Sequence, residues 1–333
     1  MTAGSQPPPP FRLIVLMPVF EDWQVARVVC ERLDQELARL PDVESTVLLV
    51  DDGSPSGLLG WSPFTPTTLR RLEALRLRRN LGHQRAIATG LCHIHDHGTC
   101  DAVVVMDADG EDRPEDAVRL LEHLRSSPGQ IVFAQRRRRT EGPVFRLGYL
   151  WYRLLHRCLT GVAVQVGNFS VVPCAALSRL VTMAELWNHY AGAVFRSKLP
   201  HTQVPMDRGE RLGGRSQMGG LVSLVMHGIG GIATFHDVVA TRILLANVGT
   251  MVLLAIALGT VLAIRFGTDR AIPGWATYTV GLLLVLSVQL GSTAFGLVLS
   301  LISNRLAATI VPARDYRVFV AGTDTLWSRS DGG

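Results

Sequence analysis

Two carboxylates one residue apart follow an apolar run in the middle of the chain. Asp107 and Asp109 come directly after Ala102 to Met106, where three consecutive valines are typical of a buried strand. Paired carboxylates at a strand end suit a hard divalent cation, and such a cation commonly also binds a diphosphate. The pair therefore predicts a metal site that handles a phosphorylated ligand.

Two earlier acidic segments also follow apolar runs. Pro18 to Asp22 ends the first run, and Asp51 to Ser54 ends the second. A carboxylate there can accept hydrogen bonds from a base N–H or a ribose hydroxyl, Phe20 can pack on a base, and Gly53 permits a tight turn. The alternative is that these are ordinary turn residues, because Asp-Gly is common in turns.

Basic residues provide three candidate anion sites. Arg78 to Ala86 opens a helix, and a helix N-terminus with basic neighbours binds anions. Arg136 to Arg139 follow the apolar run Ile131 to Ala134, and we expect them to bind an acceptor phosphate or lipid headgroups; a solvated basic loop is the alternative. Arg211 to Ser216 contains two glycines and is interpreted either as a segment that closes over a diphosphate or as a plain connector.

The elements that must position these residues alternate between strand and helix. Strands are predicted at Leu13–Met17, Thr46–Val50, Leu75–Leu77, Ala102–Met106 and Ile131–Ala134, and helices at Val25–Leu40, Arg85–His95 and Pro114–Arg125. This alternation predicts an α/β fold with a mostly parallel sheet covered on both faces. Ligands of such sheets bind at the carboxyl ends of the strands, where all the acidic motifs fall.

Two long uncharged segments follow the α/β region. Residues 243–264 and 274–303 contain no charged side chain, and each is long enough to cross a bilayer as a helix. We predict a two-helix transmembrane hairpin at 243–303, with buried helices of a soluble protein as the alternative. Its glycines, with Asn247 and Gln289, fit helix contacts in a homo-oligomer or ordinary membrane composition equally well.

A basic, aromatic amphipathic pattern at 143–160 predicts a helix lying in the membrane interface. A surface helix packed on the sheet is the alternative.

Charge predicts the side of the membrane. Residues 1–10 are proline-rich, which predicts a disordered tail without a secretory signal. Arginines precede the first span and follow the second, so the positive-inside bias places both termini in the cytoplasm. The five cysteines contain no C-x-x-C pair, and we expect reduced thiols. The net charge of +5 is mostly arginine, which favours phosphates and anionic membrane lipid over nucleic acid as partners.

In combination, the motifs resemble a family 2 glycosyltransferase of the GT-A architecture, and within it the polyprenyl-phosphate sugar transferases such as dolichol-phosphate mannose synthase and the GtrB-like glucosyl transferases. The resemblance covers about residues 11–320. Its segments are Met17–Phe20, Val50–Ser54, Arg79–Gln84 with Ala86, Met106–Asp109 with Pro114–Glu115, looser matches at Tyr152–Leu155 and Gly167–Phe169, the pattern Arg211-x-x-Gly214-x-Ser216, and the two closing apolar helices.

The resemblance implies a nucleotide-sugar donor, a polyprenyl phosphate acceptor, and Mg²⁺ or Mn²⁺ as the cofactor. Asp107 and Asp109 would hold the metal, and Arg136, Arg139 and Arg211 would complete the catalytic set. The donor would be bound by Pro18, Phe20, Asp22, Asp51, Asp52, Asn80, Gly82, Gln84, Asp107, Ala108, Asp109, Arg211 and Ser216.

The chain departs from the family pattern at three places. Gly110-Glu111 replaces the usual Leu-Gln, so Glu111 is an added candidate metal ligand. Asn168 stands where an Asp often precedes the Phe, and Gln217-Met218 replaces Lys-Tyr. A phosphate acceptor is already an anion and can attack without a protein base, so a neutral Asn168 is compatible with transfer to a lipid phosphate.

These features predict a Rossmann-like GT-A domain at 11–240, the hairpin, and a cytoplasmic C-terminal tail at 304–333. We expect an inner-membrane enzyme of cell-envelope glycan biosynthesis. It would move one sugar, with inversion and metal assistance, from a UDP- or GDP-linked donor to an undecaprenyl- or dolichyl-type phosphate. The alternatives are a non-catalytic membrane component with this fold, a processive polysaccharide synthase, or a transferase that uses another lipid or glycan.

Overall fold

The chain forms two compact units in a computed structural model that describes residues 9–136, 154–161, 166–207, 209–213, 232–268, 274–306 and 310–329. The first unit comprises the described parts of 1–146, 164–234 and 310–333, and the second those of 147–163 and 235–309. The boundaries differ from those predicted, because residues 310–329 belong to the first unit and the helical turn at 154–160 belongs to the second.

The first unit is built on an eight-stranded sheet in the order β7-β5-β6-β4-β1-β2-β3-β8. The strands are β1 (Phe11–Val19), β2 (Val43–Asp51), β3 (Arg71–Leu77), β4 (Ala102–Val105), β5 (Ile131–Arg136), β6 (Ser170–Pro173), β7 (His201–Met206) and β8 (Val320–Ser328). Strands β4, β1, β2 and β3 pair in parallel, as do β5 and β7, whereas β6 and β8 run antiparallel to their neighbours. The mostly parallel sheet expected of a GT-A fold is therefore confirmed.

Helices cover both faces of this sheet. They are α1 (Trp23–Leu37), α2 (His83–His97), α3 (Pro114–Ser126), α4 (Cys174–Leu180) and α5 (Tyr190–Ser197). Alternate residues of β1 divide between two apolar clusters: Leu13 and Val15 pack in the cluster that contains α1 and α3, while Ile14 and Leu16 pack with α2, α4 and α5. This double burial explains why the central strands read as continuous apolar runs.

Strand β8 comes from the segment predicted to be a tail. It pairs antiparallel with β3, from Arg71 opposite Ser328 to Leu77 opposite Val320. The short helix α8 (Pro312–Asp315) and a 3₁₀ turn at Tyr316–Phe319 precede it. Pairing satisfies backbone groups that an edge strand would otherwise expose. The tail prediction is thus corrected for 310–329, which complete the sheet.

The second unit contains two long apolar helices, α6 (His236–Gly267) and α7 (Trp275–Leu306), which pack against each other. Both have a mean hydropathy of 2.1, and only 11% and 0% of their most apolar stretches are buried. A core helix of a soluble protein of this composition would be mostly buried. Length and composition therefore make both helices candidates for crossing a membrane.

The expectation of five free thiols is wrong for one pair, because a disulfide joins Cys100 to Cys174. Ala102 lies opposite Pro173 in the β4–β6 ladder, so the two cysteines just outside it face each other. Cys30 and Cys92 are buried free thiols, and Cys158 is an exposed one. No local feature of the chain indicates that β6 returns antiparallel beside β4, and this pairing is what brings the two cysteines together.

Candidate active site

The candidate site residues meet at one edge of the sheet. The carboxyl ends of β1, β2, β3 and β4 lead into the segments that hold Asp22, Asp52, Asn80 and Asp107. Strand β6 runs the other way, so its amino end, with Asn168 just before it, lies at the same edge. Because open α/β sheets bind ligands at this edge, the topology brings together the predicted donor and metal residues.

Asp52 connects the end of β2 to the start of α2. It is 4% exposed, and its two carboxylate oxygens accept hydrogen bonds from the backbone N–H groups of Leu81 and Gly82 at 2.7 and 2.9 Å. Burial raises the pKa of Asp52 and outweighs the two N–H groups, which lower it. Asp52 therefore holds the segment that leads into α2, and both anion binding by that segment and a contact of Asp52 with a nucleoside remain predictions.

The loop after β1 is tied to the loop after β2. Glu21 has a φ of 61°, in the left-handed region that is uncommon for a residue with a side chain. Its backbone N–H donates to Ser54 Oγ at 2.9 Å, and its carboxylate accepts from the N–H and hydroxyl of Ser56, each at 3.0 Å. Asp51, which is 2% exposed, accepts from the Ser54 N–H. These bonds fix Phe20 and Asp22 on either side of Glu21.

Asp107 is held between an acidic and a basic neighbour. Its backbone N–H donates to the buried Asp112 carboxylate at 2.9 Å, and its own Oδ1 lies 3.2 Å from His83 Nε2. Burial alone would lower the pKa of His83, but the carboxylates of Asp107, Asp112 and Asp109 raise it above its ordinary value. The ring of His83, a residue of the predicted anion segment Arg78 to Ala86, thus lies beside the predicted metal carboxylates.

Asp109 faces Arg211. The guanidinium Nη2 lies 2.6 Å from Asp109 Oδ2, and Nε lies 3.5 Å from Glu111 Oε1. Among the described residues, no group of three or more Asp, Glu, His or Cys side chains is arranged to hold a cation. The structure therefore brings Arg211 to the acidic loop, but it does not gather Asp107, Asp109 and Glu111 around a common point.

A chain of amide contacts runs from α5 to His83. The Tyr190 backbone N–H donates to Gln84 Oε1 at 2.8 Å, and Gln84 Nε2 donates to Asn168 Oδ1 at 3.2 Å. Asn168 Nδ2 lies 3.0 Å from His83 Nε2. Gln84, predicted to bind the donor, thus orients the amide of Asn168. This contact could not be predicted from the sequence, because it depends on where α5 packs.

The remaining predicted residues differ in exposure, and some of them lie outside the described residues. Pro18 and Ala108 are buried, Phe20 and Asp22 are half-buried, and Asn80 is exposed. Gly82 has a φ of 91° and precedes α2. Arg136 ends β5, but its side chain, all of Arg139 and all of Ser216 lie outside the described residues. The interfacial helix predicted at 143–160 is described only from residue 154, where 154–160 is helical.

The sequence matches the family model described as glycosyl transferase family 2 over residues 14–181, which is half of the chain. The matched range includes most of β1, all of β2 to β6 and both carboxylates of the Asp-x-Asp pair. The chain belongs to glycosyltransferase family 2. It is therefore a glycosyltransferase, and the GT-A interpretation of its fold agrees with this family.

Several relatives carry names that agree with this family. The chain is 24% identical to the uncharacterized glycosyltransferase YkcC of Bacillus subtilis, over 92% of each chain. It is 25% identical to the bactoprenol glucosyl transferase of Shigella phage SfX, over 67% of this chain and 73% of that one, and 23% identical to an Escherichia coli prophage homologue over the same shares. The predicted resemblance to the family, and to its polyprenyl-phosphate group, is confirmed.

Solved structures of similar fold include a glucosyl-3-phosphoglycerate synthase from Mycobacterium tuberculosis in complex with Mn²⁺, UDP-glucose and phosphoglyceric acid. It superposes with a TM-score of 0.46 and 19% sequence identity, over 68% of this chain and 79% of that chain.

Proposed function

We propose that this glycosyltransferase moves one sugar from a UDP- or GDP-sugar to a polyprenyl phosphate, with inversion, at the cytoplasmic face of the inner membrane. The observation that carries the proposal is the position of Asp107 and Asp109 at the sheet edge where the loops after β1, β2 and β3 converge. The bactoprenol names of the relatives and the exposed apolar helices support a lipid phosphate as the acceptor.

The residues present fit a divalent cation that is shared with a diphosphate. Asp107 and Asp109 offer hard oxygen donors at side chains that are 23% and 17% exposed, so a ligand can reach them. Mg²⁺ or Mn²⁺ bound there would supply positive charge to the departing nucleoside diphosphate. Arg211 places further positive charge beside Asp109, and the His83 ring lies beside Asp107.

The chain's own residues explain why an anionic acceptor suits the site. Asn168 cannot accept a proton at neutral pH, so it cannot act as a general base for a hydroxyl acceptor. A lipid phosphate is already largely ionised and can attack directly. A single displacement by such an oxygen inverts the anomeric carbon, which the configuration of the product would reveal.

The proposal is tested by incubating the full chain, purified in detergent, with Mn²⁺, undecaprenyl phosphate and a panel of UDP- and GDP-sugars. Release of nucleoside diphosphate and formation of the glycolipid are expected for at least one donor. Asp109→Asn should lower kcat by about a hundredfold or more, because a charge that stabilises the reaction is lost. Glu122→Gln, an exposed carboxylate on α3, is the matched control. No turnover across the panel, with an active reference enzyme, would contradict the proposal.

A further inference from the structure

The segment 209–213 lies on the loop that follows β4. The Gly209 N–H donates to the Glu111 carbonyl at 2.9 Å, and the Leu212 N–H donates to the Asp109 carbonyl at 3.0 Å. Leu212 also packs over Gly110, where a Cβ atom would lie 2.8 Å from Leu212 Cδ1. Backbone bonds and an apolar contact therefore fix this segment on the acidic loop.

The docked segment directs one guanidinium to two carboxylates. Arg211 reaches Asp109 at 2.6 Å and Glu111 at 3.5 Å, and the three side chains are only 27%, 17% and 14% exposed. Partial burial strengthens such pairs relative to surface ion pairs. The Glu111 backbone N–H also donates to Asp109 Oδ1 at 2.9 Å. This bond holds the two acids close together in one turn, where both contact Arg211.

We propose that Glu111 is a positioning residue that holds Arg211 on Asp109, and that Arg211 and a divalent cation are alternative partners of the Asp109 carboxylate. The inference rests on the proposed function, because it concerns the same metal carboxylates. It assigns Glu111 to the arginine rather than to the metal, which agrees with the lack of a three-carboxylate cluster among the described residues.

The physical reason is competition for one oxygen. Asp109 Oδ2 accepts from the guanidinium, so Arg211 and a cation that binds this oxygen compete for the same atom. By linkage, whatever strengthens the Arg211–Asp109 pair weakens cation binding by the same factor. A displaced Arg211 is then free to bind the diphosphate that accompanies the cation, so one residue would neutralise the acids first and the leaving group afterwards.

The two possible roles of Glu111 predict opposite changes in cation affinity when Glu111 is replaced by glutamine. If Glu111 holds Arg211, then Glu111→Gln loosens the arginine and increases the affinity for a cation. If Glu111 is a metal ligand, the same substitution removes a charged donor and decreases that affinity. Glutamine keeps the size of the side chain and its capacity to accept hydrogen bonds, so the change tests charge rather than packing.

The test is a titration of the full chain in detergent with Mn²⁺ alone, followed by the electron paramagnetic resonance signal of free Mn²⁺. Glu111→Gln and Arg211→Gln should each tighten Mn²⁺ binding about two- to fivefold, the range expected for a partly exposed ion pair. Glu115→Gln is the matched control, since Glu115 is half-buried and pairs with Arg113 instead. It should not tighten binding.

The outcomes separate this inference from the proposed function. Weaker or unchanged Mn²⁺ binding by Glu111→Gln overturns the inference, even if the wild-type chain transfers sugar. Failure of every variant to bind Mn²⁺ at millimolar concentration also overturns it. A wild-type chain that binds Mn²⁺ but transfers no sugar counts against the proposed function alone, because the titration contains neither donor nor acceptor.

Discussion

Single residues hold the site together by connecting loops that are distant in sequence. Gly53 has a φ of +70°, and a Cβ atom there would lie 2.6 Å from the Asn80 nitrogen. The β2 loop thus touches the backbone that leads into α2, directly beside the hydrogen bonds from Leu81 and Gly82 to Asp52. The close approach of two backbones makes this glycine structurally necessary.

We predict that Gly53→Ala lowers the free energy of unfolding by more than about 3 kcal/mol and weakens nucleotide binding, because the methyl group would push the two loops apart. Gly57→Ala is the control: it also has a positive φ, of +53°, but nothing lies within 4 Å of its Cβ position. We expect it to cost about 1–2 kcal/mol. Thermal unfolding and nucleotide titration measure both effects, and equal losses would contradict the argument.

For single residues, the sequence predicted which carboxylates follow a strand, but it did not predict the side chains that they contact. Asp107 and Asp109 could be identified because strand-end carboxylates are local in sequence. His83, Tyr190 and the buried Asp112 could not be assigned their contacts, because these depend on how α2, α5 and the β4 loop pack. Glu111 illustrates this: its residue type suggested a metal ligand, whereas in the structure its carboxylate lies 3.5 Å from the Arg211 guanidinium.

Among the elements, α1 and the lead-in to β3 are connected by one acid. Asp34 of α1 is 5% exposed and accepts from the backbone N–H groups of Thr67, Thr68 and Leu69, each at 2.8 Å, and from the Thr67 hydroxyl. Burial would raise the pKa of Asp34, but these hydrogen bonds together lower it below its ordinary value. The ionised form therefore stabilises the fold.

We predict that Asp34→Asn lowers the free energy of unfolding by about 2–3 kcal/mol near neutral pH, because an amide cannot accept all four bonds. Thr67→Val, which removes only the hydroxyl, should cost about 1 kcal/mol. Since the folded pKa is lowered, the contribution of Asp34 is complete above about pH 4 and is lost as the pH falls through the folded pKa. Unfolding measured against pH should show the gap between wild type and Asp34→Asn narrowing in acid.

Element prediction succeeded where apolar runs were long and failed where they were short. The central strands and α1 to α3 were predicted with boundaries that differ by a few residues. Strands β6, β7 and β8 and helices α4 and α5 were not predicted, since their few apolar residues lack a clear period. The antiparallel direction of β6 and β8 is set by long-range pairing and has no local signal.

Across the molecule, the first unit is assembled from segments on both sides of the hairpin. Tyr316, which is 1% exposed, donates its hydroxyl to Asp96 Oδ2 at 2.8 Å, and Arg317 Nη2 donates to the same oxygen at 2.7 Å. Burial would raise the pKa of Asp96, but Arg317, Tyr316 and His95 lower it to about 2. This carboxylate at the end of α2 anchors the segment that leads into β8.

We predict that Asp96→Asn increases amide hydrogen exchange in β8 and in its partner β3, because the anchor ahead of β8 is weakened. Tyr316→Phe keeps the buried ring and should have a smaller effect. Glu122→Gln, with an exposed carboxylate on α3, should leave the exchange of both strands unchanged. Exchange that rises throughout the sheet, rather than at β3 and β8, would contradict a local anchor.

The pairing of β8 with β3 also sets an order of events during synthesis. The ribosome makes β8 only after both apolar helices, so the catalytic sheet keeps an open edge while the hairpin is being translated. An open edge can recruit other chains and is recognised by cellular quality control. Capping of β3 therefore marks a polypeptide whose hairpin has already been made, and a nascent chain interrupted within the hairpin retains an unfinished sheet.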